Sequence, residues 1–80
     1  MNIEKIKSLL QENSEVKFKL YSLEYIIELI DDKYTIYPVL YSNRKYTYNS
    51  LKELFNNYQI YNESIINDLD RISICDNERE

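Results

Sequence analysis

The chain has 80 residues, 44% of them hydrophobic and 30% charged, with a formal net charge of −4. This is one small domain, 1–80, burying about 60–65% of the surface its unfolded form exposes, so a stability of only about a few kcal/mol is expected. Histidine and glycine are absent and Cys75 is the single cysteine. The composition therefore excludes Ser-His-Asp and Cys-His nucleophile systems, His-ligated zinc, the P-loop and the Rossmann fingerprint, four-cysteine zinc sites and any internal disulfide.

No catalytic residue, cofactor site or metal site is expected. Apolar runs fall short of the roughly 18 residues of a membrane span, and MNIEKIKSLL lacks the apolar core of a signal peptide. The expected compartment is the cytoplasm, with no membrane partner. Alanine is absent too, while Asn, Ile, Lys and Tyr abound. This codon bias points to an AT-rich bacterial or phage genome. Residues 1–59 hold eight acids and eight bases, and residues 60–80 hold six acids and two bases. The acidic excess thus lies in the last quarter, a balance that disfavours nucleic-acid binding.

In chain order, Ile3, Ile6, Leu9 and Leu10 form one helical stripe, with Asn2 as cap and Asn13-Ser14 as stop. VKFKLYSLEYIIELI alternates with period two and, at roughly 50 Å if extended, must fold back. A two-residue loop at Tyr21-Ser22 pairs Leu20 with Leu23, Phe18 with Tyr25 and Val16 with Ile27, and sets Lys19 opposite Glu24. Tyr-Ser is poorly suited to the positive φ of a tight primed turn, which leaves a wider or bulged turn open. The turn at Asp31-Asp32-Lys33 leads to a third strand, YTIYPVLY, in which Pro38 marks an edge or a bulge. After Ser42-Asn43, RKYTY returns as a short fourth strand. Ser50-x-x-Glu53 is a capping box ahead of a helix burying Leu51, Leu54, Phe55 and Tyr58. Asn62 caps a second short helix with Ile65, Ile66, Leu69 and Ile72 as its stripe. CDNERE, 75–80, reads as a frayed acidic tail. The expected fold is α+β in two layers: an N-terminal helix, an antiparallel meander of three to four strands, then two short C-terminal helices.

Five tyrosines fall between Tyr34 and Tyr48. With Asp31-Asp32 alone as the loop, Ile36 pairs with Ile27. A two-residue loop at Ser42-Asn43 then pairs Tyr37 with Tyr48 and Val39 with Tyr46. Tyr37, Tyr41, Tyr46 and Tyr48 would thus share one face with Val39, Ile26 and Ile30, opposite the helix-covered face. Three readings compete: cover by the chain after Tyr58, a protein interface including a homodimer, and a platform that stacks single-stranded nucleic acid beside Arg44 and Lys45.

The carboxylates give weaker signals. Asp31-Asp32-Lys33 after Glu28 reads as a solvated hairpin tip, and Asp68-x-Asp70 as surface charge without the ligand set of a calcium loop.

The expected function is that of a small non-enzymatic adaptor or regulator. It binds a protein partner or itself through Tyr37, Tyr41, Tyr46 and Tyr48, with Arg44 as a charged contact. The order helix, strands, helices in a short acidic chain is also similar to that of some small phage anti-CRISPR proteins. That resemblance implies an inhibitor of a nucleic-acid enzyme that mimics DNA, with Glu63, Asp68, Asp70, Asp76, Glu78 and Glu80 as its acidic surface. A single-stranded nucleic-acid binder is the remaining alternative.

Overall fold

The computed structural model describes residues 2–75. Helix α1 (Ile3–Asn13) starts where the Asn2 side chain accepts the Lys5 amide at 2.9 Å. It ends where Ser14 turns left-handed at φ 67 and its N–H reaches Leu10 O at 2.8 Å. In a chain without glycine, serine takes the αL stop. Strands β1 (Glu15–Leu20), β2 (Leu23–Ile30) and β3 (Lys33–Pro38) form an antiparallel meander. β4 (Tyr46–Tyr48) follows, then α2 (Leu51–Asn57). The first two hairpins have the expected register: Phe18 opposite Tyr25, Val16 opposite Ile27, Lys19 opposite Glu24, and Ile27 opposite Ile36.

Both hairpin turns are tight. Tyr21 and Ser22 have φ 53 and 68, Asp31 and Asp32 φ 52 and 65. Positive φ at both central residues is the signature of the type I′ turn, whose twist matches that of the strands it joins. The twist of the hairpin therefore overrides the local preference of Tyr-Ser, and no bulge is needed.

The β3–β4 connection departs from expectation. Pro38 ends β3, since proline has no N–H to continue the ladder. Val39–Tyr41 then form one 3-10 turn, closed as the Arg44 amide reaches Tyr41 O at 2.9 Å. The chain rejoins the sheet only at Tyr46. Tyr48 consequently lies opposite Tyr34 and Tyr46 opposite Ile36, not opposite Tyr37 and Val39. The register moves by three residues. An odd shift exchanges the faces of a strand.

The C-terminal part holds a second departure. The Ser50–Glu53 box caps α2, with Glu53 N on Ser50 Oγ at 3.0 Å and Asn49 N on Glu53 Oε1 at 2.8 Å. Asn62, however, is not a helix cap. Tyr61-Asn62, φ 55 and 63, is a third turn of the same kind, joining β5 (Gln59–Ile60) to β6 (Glu63–Ser64). The second C-terminal helix is 3-10, Ile65–Arg71, with a kink at Asp68 (φ −113). It delivers β7 (Ser73–Ile74) to the free edge of β1, Ile74 opposite Phe18 and Ser73 opposite Lys19. The sheet therefore has five strands in the order β4-β3-β2-β1-β7. Of the expected tail 75–80, residues 76–80 lie outside the described residues, while Cys75 is half-buried and donates its N–H to Lys17 O at 2.8 Å.

One layer is this sheet. The other is α1, α2 and the 3-10 segment, packed on a single sheet face. Between them lie Ile6, Leu10, Phe18, Leu20, Ile27, Ile36, Leu54, Phe55 and Ile65, all essentially inaccessible. Each such side chain contributes about 1.5–3 kcal/mol of burial. Among the described residues no helix is long and apolar enough to cross a membrane.

Candidate functional site: an aromatic end of the sheet

The β3–β4 register decides where the tyrosines go. Tyr46 and Tyr48 stand on the helix-covered face beside Ile36 and Tyr34, whereas Tyr37 projects from the other face. The four rings expected on one face are thus divided between two. Tyr37 is buried within its own face. Its hydroxyl donates to Glu28 Oε2 at 3.1 Å, and the Lys45 ammonium sits 4.9 Å from its ring centroid. Loss of water, with the Glu28 carboxylate as the second cause, raises its pKa. Thr35 and Thr47 pair hydroxyls across the same face at 2.9 Å. Long polar side chains thus shield this face without a covering helix.

On the helix-covered face the aromatic rings run in sequence. Phe18 stacks on Tyr25 at 5.5 Å, Tyr25 meets Tyr58 edge-on at 6.4 Å, and Tyr58 meets Tyr46 at 5.8 Å. Tilted and edge-on pairs are favoured because the ring quadrupole opposes face-to-face contact. Burial, reinforced by the neighbouring phenols Tyr25, Tyr46 and Tyr48, pushes Tyr58 up to about 12. Tyr25 and Tyr48 move in the same direction for the same leading reason. Much of the tyrosine count therefore serves as core with a wet edge.

Apart from Ile30, at the Asp31-Asp32 end, the exposed large apolar side chains of the sheet and its turns gather at one end. Tyr25, near the start of β2, lies opposite Pro38, so the Tyr21-Ser22 turn and the Val39–Tyr41 turn emerge at that same end. Leu40 is 74% exposed, Tyr41 50% and Tyr46 55%. Arg44 joins them, its guanidinium 5.0 Å from the Tyr41 centroid, a cation–π distance. Arg44 and Tyr46 also line a surface groove of about 370 Å³ with Tyr48, Tyr58 and Gln59. Tyr41, Arg44 and Tyr46 of the sequence-derived set are thus brought together. Tyr48 is half-buried at the groove wall and Tyr37 lies across the sheet.

A second cluster escapes sequence reading. Asp68, expected as surface charge, is fully buried. Its Oδ1 accepts the Tyr21 hydroxyl at 2.9 Å and faces Arg71 Nη1 at 3.4 Å, while Oδ2 has no partner. The bond to Asp68 raises the Tyr21 pKa above that of an ordinary phenol. Tyr61 lies against Tyr21 with ring centroids 5.4 Å apart. The two rings come from equivalent positions of two I′-type turns, and the sequence holds an echo of this in KLYSLE and QIYNES. That echo was the available signal.

Of the other acids proposed as a surface, Glu63 and Asp70 are exposed, and Asp76, Glu78 and Glu80 lie outside the described residues. Asp31 and Asp32 form an exposed turn, with Lys33 Nζ donating to Asn49 Oδ1 at 2.8 Å. Among the described residues no group of three or more His, Cys, Asp or Glu side chains is placed to hold a metal ion. Comparison of the chain with protein-family models, with curated proteins and with solved structures finds no match.

Proposed function

We propose that this chain is a small non-enzymatic interaction module that docks a protein partner, or a second copy of itself, through Leu40, Tyr41, Arg44 and Tyr46. The observation that carries the reading is the placement of three large apolar side chains, each at least half exposed, around one arginine on a short turn and an edge strand. Tyrosine and arginine dominate binding energy at protein interfaces, because they offer large contact area and directed donors at low rotamer cost. In a domain this small, leaving Leu40 in water forgoes about 1.5–3 kcal/mol of burial, and no packing role among the described residues accounts for it.

The reading keeps Tyr41, Tyr46 and Arg44 from the sequence-derived site and replaces the sheet face with the end of the sheet. The acidic-mimic alternative loses Asp68 to the interior, leaving Glu63 and Asp70 as its exposed members among the described residues. The nucleic-acid platform loses its single face, since Tyr37 and Tyr46 stand on opposite sides.

The test is sedimentation of the purified chain alone and with candidate partners, for the native sequence and for a Leu40→Asp, Tyr41→Ala double variant. Neither residue contributes to the buried core, so the circular dichroism spectrum stays the same. Self-association or partner binding falls at least tenfold. Association that persists unchanged in the double variant overturns the reading.

A further inference from the structure

The docking end carries a charge asymmetry that selects its partner. Between Asp32 and Glu53 the chain contains no acid, while Arg44 and Lys45 fall in that interval. The 370 Å³ groove is lined by Pro38, Arg44, Tyr46, Tyr48, Tyr58 and Gln59, together with Asn57, and among the described residues no carboxylate lines it. Glu53, on the helix that ends at the groove wall, accepts the Asn49 amide at 2.8 Å, and Glu63 does not line the groove. Arg71 and Asp68 form the only ion pair among the described residues, so Arg44 has no carboxylate partner there. Its guanidinium lies over the Tyr41 ring. A guanidinium stacked on a ring keeps the N–H fork at its edge free to take a carboxylate in two parallel bonds. The contact biases the side chain toward that placement, so less rotamer freedom is lost on binding.

Resting on the interaction reading above, we propose that the groove receives an acidic segment of the protein partner: an Asp or Glu side chain on Arg44, and a neighbouring apolar side chain against Tyr46 and Tyr58. Tyr58 is the buried floor, Tyr46 the exposed wall, and their edge-on contact at 5.8 Å fixes the groove without the ligand. The arrangement is a cation flanked by aromatic rings, complementary to a carboxylate flanked by apolar groups. A phosphate backbone would also pair with Arg44. It needs several cations along its length, however, and the groove lining supplies Arg44 alone, with Lys45 over Tyr37 on the other face of a chain of net charge −4.

The experiment is selection from a displayed library of random twelve-residue peptides on the native chain and on the Arg44→Glu, Arg44→Gln and Tyr46→Ala variants, each checked for native circular dichroism. The native chain enriches peptides with Asp or Glu next to Leu, Phe, Tyr or Trp. The leading peptide binds at least tenfold more weakly to Arg44→Gln and Tyr46→Ala, and Arg44→Glu shifts the enrichment toward Lys and Arg. Peptides that depend on Tyr46 but carry no acidic bias, and that ignore Arg44→Glu, overturn this inference and leave the interaction reading standing. No enrichment on the native chain overturns this inference, and the interaction reading then stands or falls on the sedimentation test. An oligo-dT strand that binds more tightly than any selected peptide, and is lost in Arg44→Glu, overturns it in favour of nucleic acid.

Discussion

Three of the turns in this glycine-free chain place two consecutive L-residues in the left-handed region: Tyr21-Ser22, Asp31-Asp32 and Tyr61-Asn62. An L-residue there crowds its Cβ against the following carbonyl oxygen, at a cost of about 1–2 kcal/mol, least for Asn and Asp. Ser22→Gly, at φ 68, removes that cost of about 1 kcal/mol or more. The extra freedom glycine gives the unfolded chain returns roughly 0.5 kcal/mol. The net expectation is a gain of about 0.5–1 kcal/mol, read as a rise in Tm of about 2–8 °C for a domain of this size. Asp32→Gly gains less and Asn62→Gly least, because asparagine tolerates the αL region best after glycine. Tyr21 stays native in this series because its hydroxyl is bound to Asp68. Ser42, at φ −65, is the control. Glycine there relieves nothing and loses about 0.5 kcal/mol. Thermal melts by circular dichroism decide the matter. A Ser22→Gly variant no more stable than Ser42→Gly refutes the left-handed assignment at the β1–β2 turn.

Three further outcomes follow from the same geometry. Tyr21→Phe leaves the buried Asp68 carboxylate with only the 3.4 Å Arg71 contact. It should lower the midpoint of urea unfolding, whereas adding Asp68→Leu recovers most of the loss, since removing both partners leaves no unsatisfied group. Equal destabilisation of the single and double variants contradicts that pairing. Tyr58 is raised in the folded chain to about 12, against about 10 unfolded. Its stabilising contribution is therefore complete below pH 10 and disappears as pH rises toward 12, about 2–3 kcal/mol in all. Tyr25, Tyr37 and Tyr48 act in the same direction, and Tyr58→Phe should remove most of the alkaline slope. Stability unchanged to pH 12 would contradict the burial of these phenols. Leu54→Ala, at a site with no accessible surface, should cost about 2–5 kcal/mol, enough to unfold much of the population at 37 °C.

The legible part of this fold is the part in which polarity and position agree. Val16, Phe18 and Leu20 alternate with Glu15, Lys17 and Lys19, and one register alone buries them with Tyr25 and Ile27, so two hairpins follow from the pattern. Asn2 and the Ser50–Glu53 box act where chemistry puts them. The β3–β4 register was not legible, because Tyr and Thr are acceptable on either face of a sheet and nothing in PVLYSNRK fixes the length of the connection. β7 escaped because two residues of ladder leave no periodicity. The burial of Asp68 escaped because NDLDR reads as solvated unless Tyr21, distant in sequence, is known to reach it. For the candidate site, composition pointed to Tyr41, Tyr46 and Arg44. Their grouping at one end depends on Pro38 and the turn after it.

The register of β4 on β3 carries both the groove and the proposed docking end, and proton NMR tests it directly. The account predicts cross-strand nuclear Overhauser contacts between Tyr34 and Tyr48, Thr35 and Thr47, and Ile36 and Tyr46. Contacts between Tyr37 and Tyr48 and between Val39 and Tyr46 would instead return Tyr46 and Tyr48 to the opposite face and contradict it.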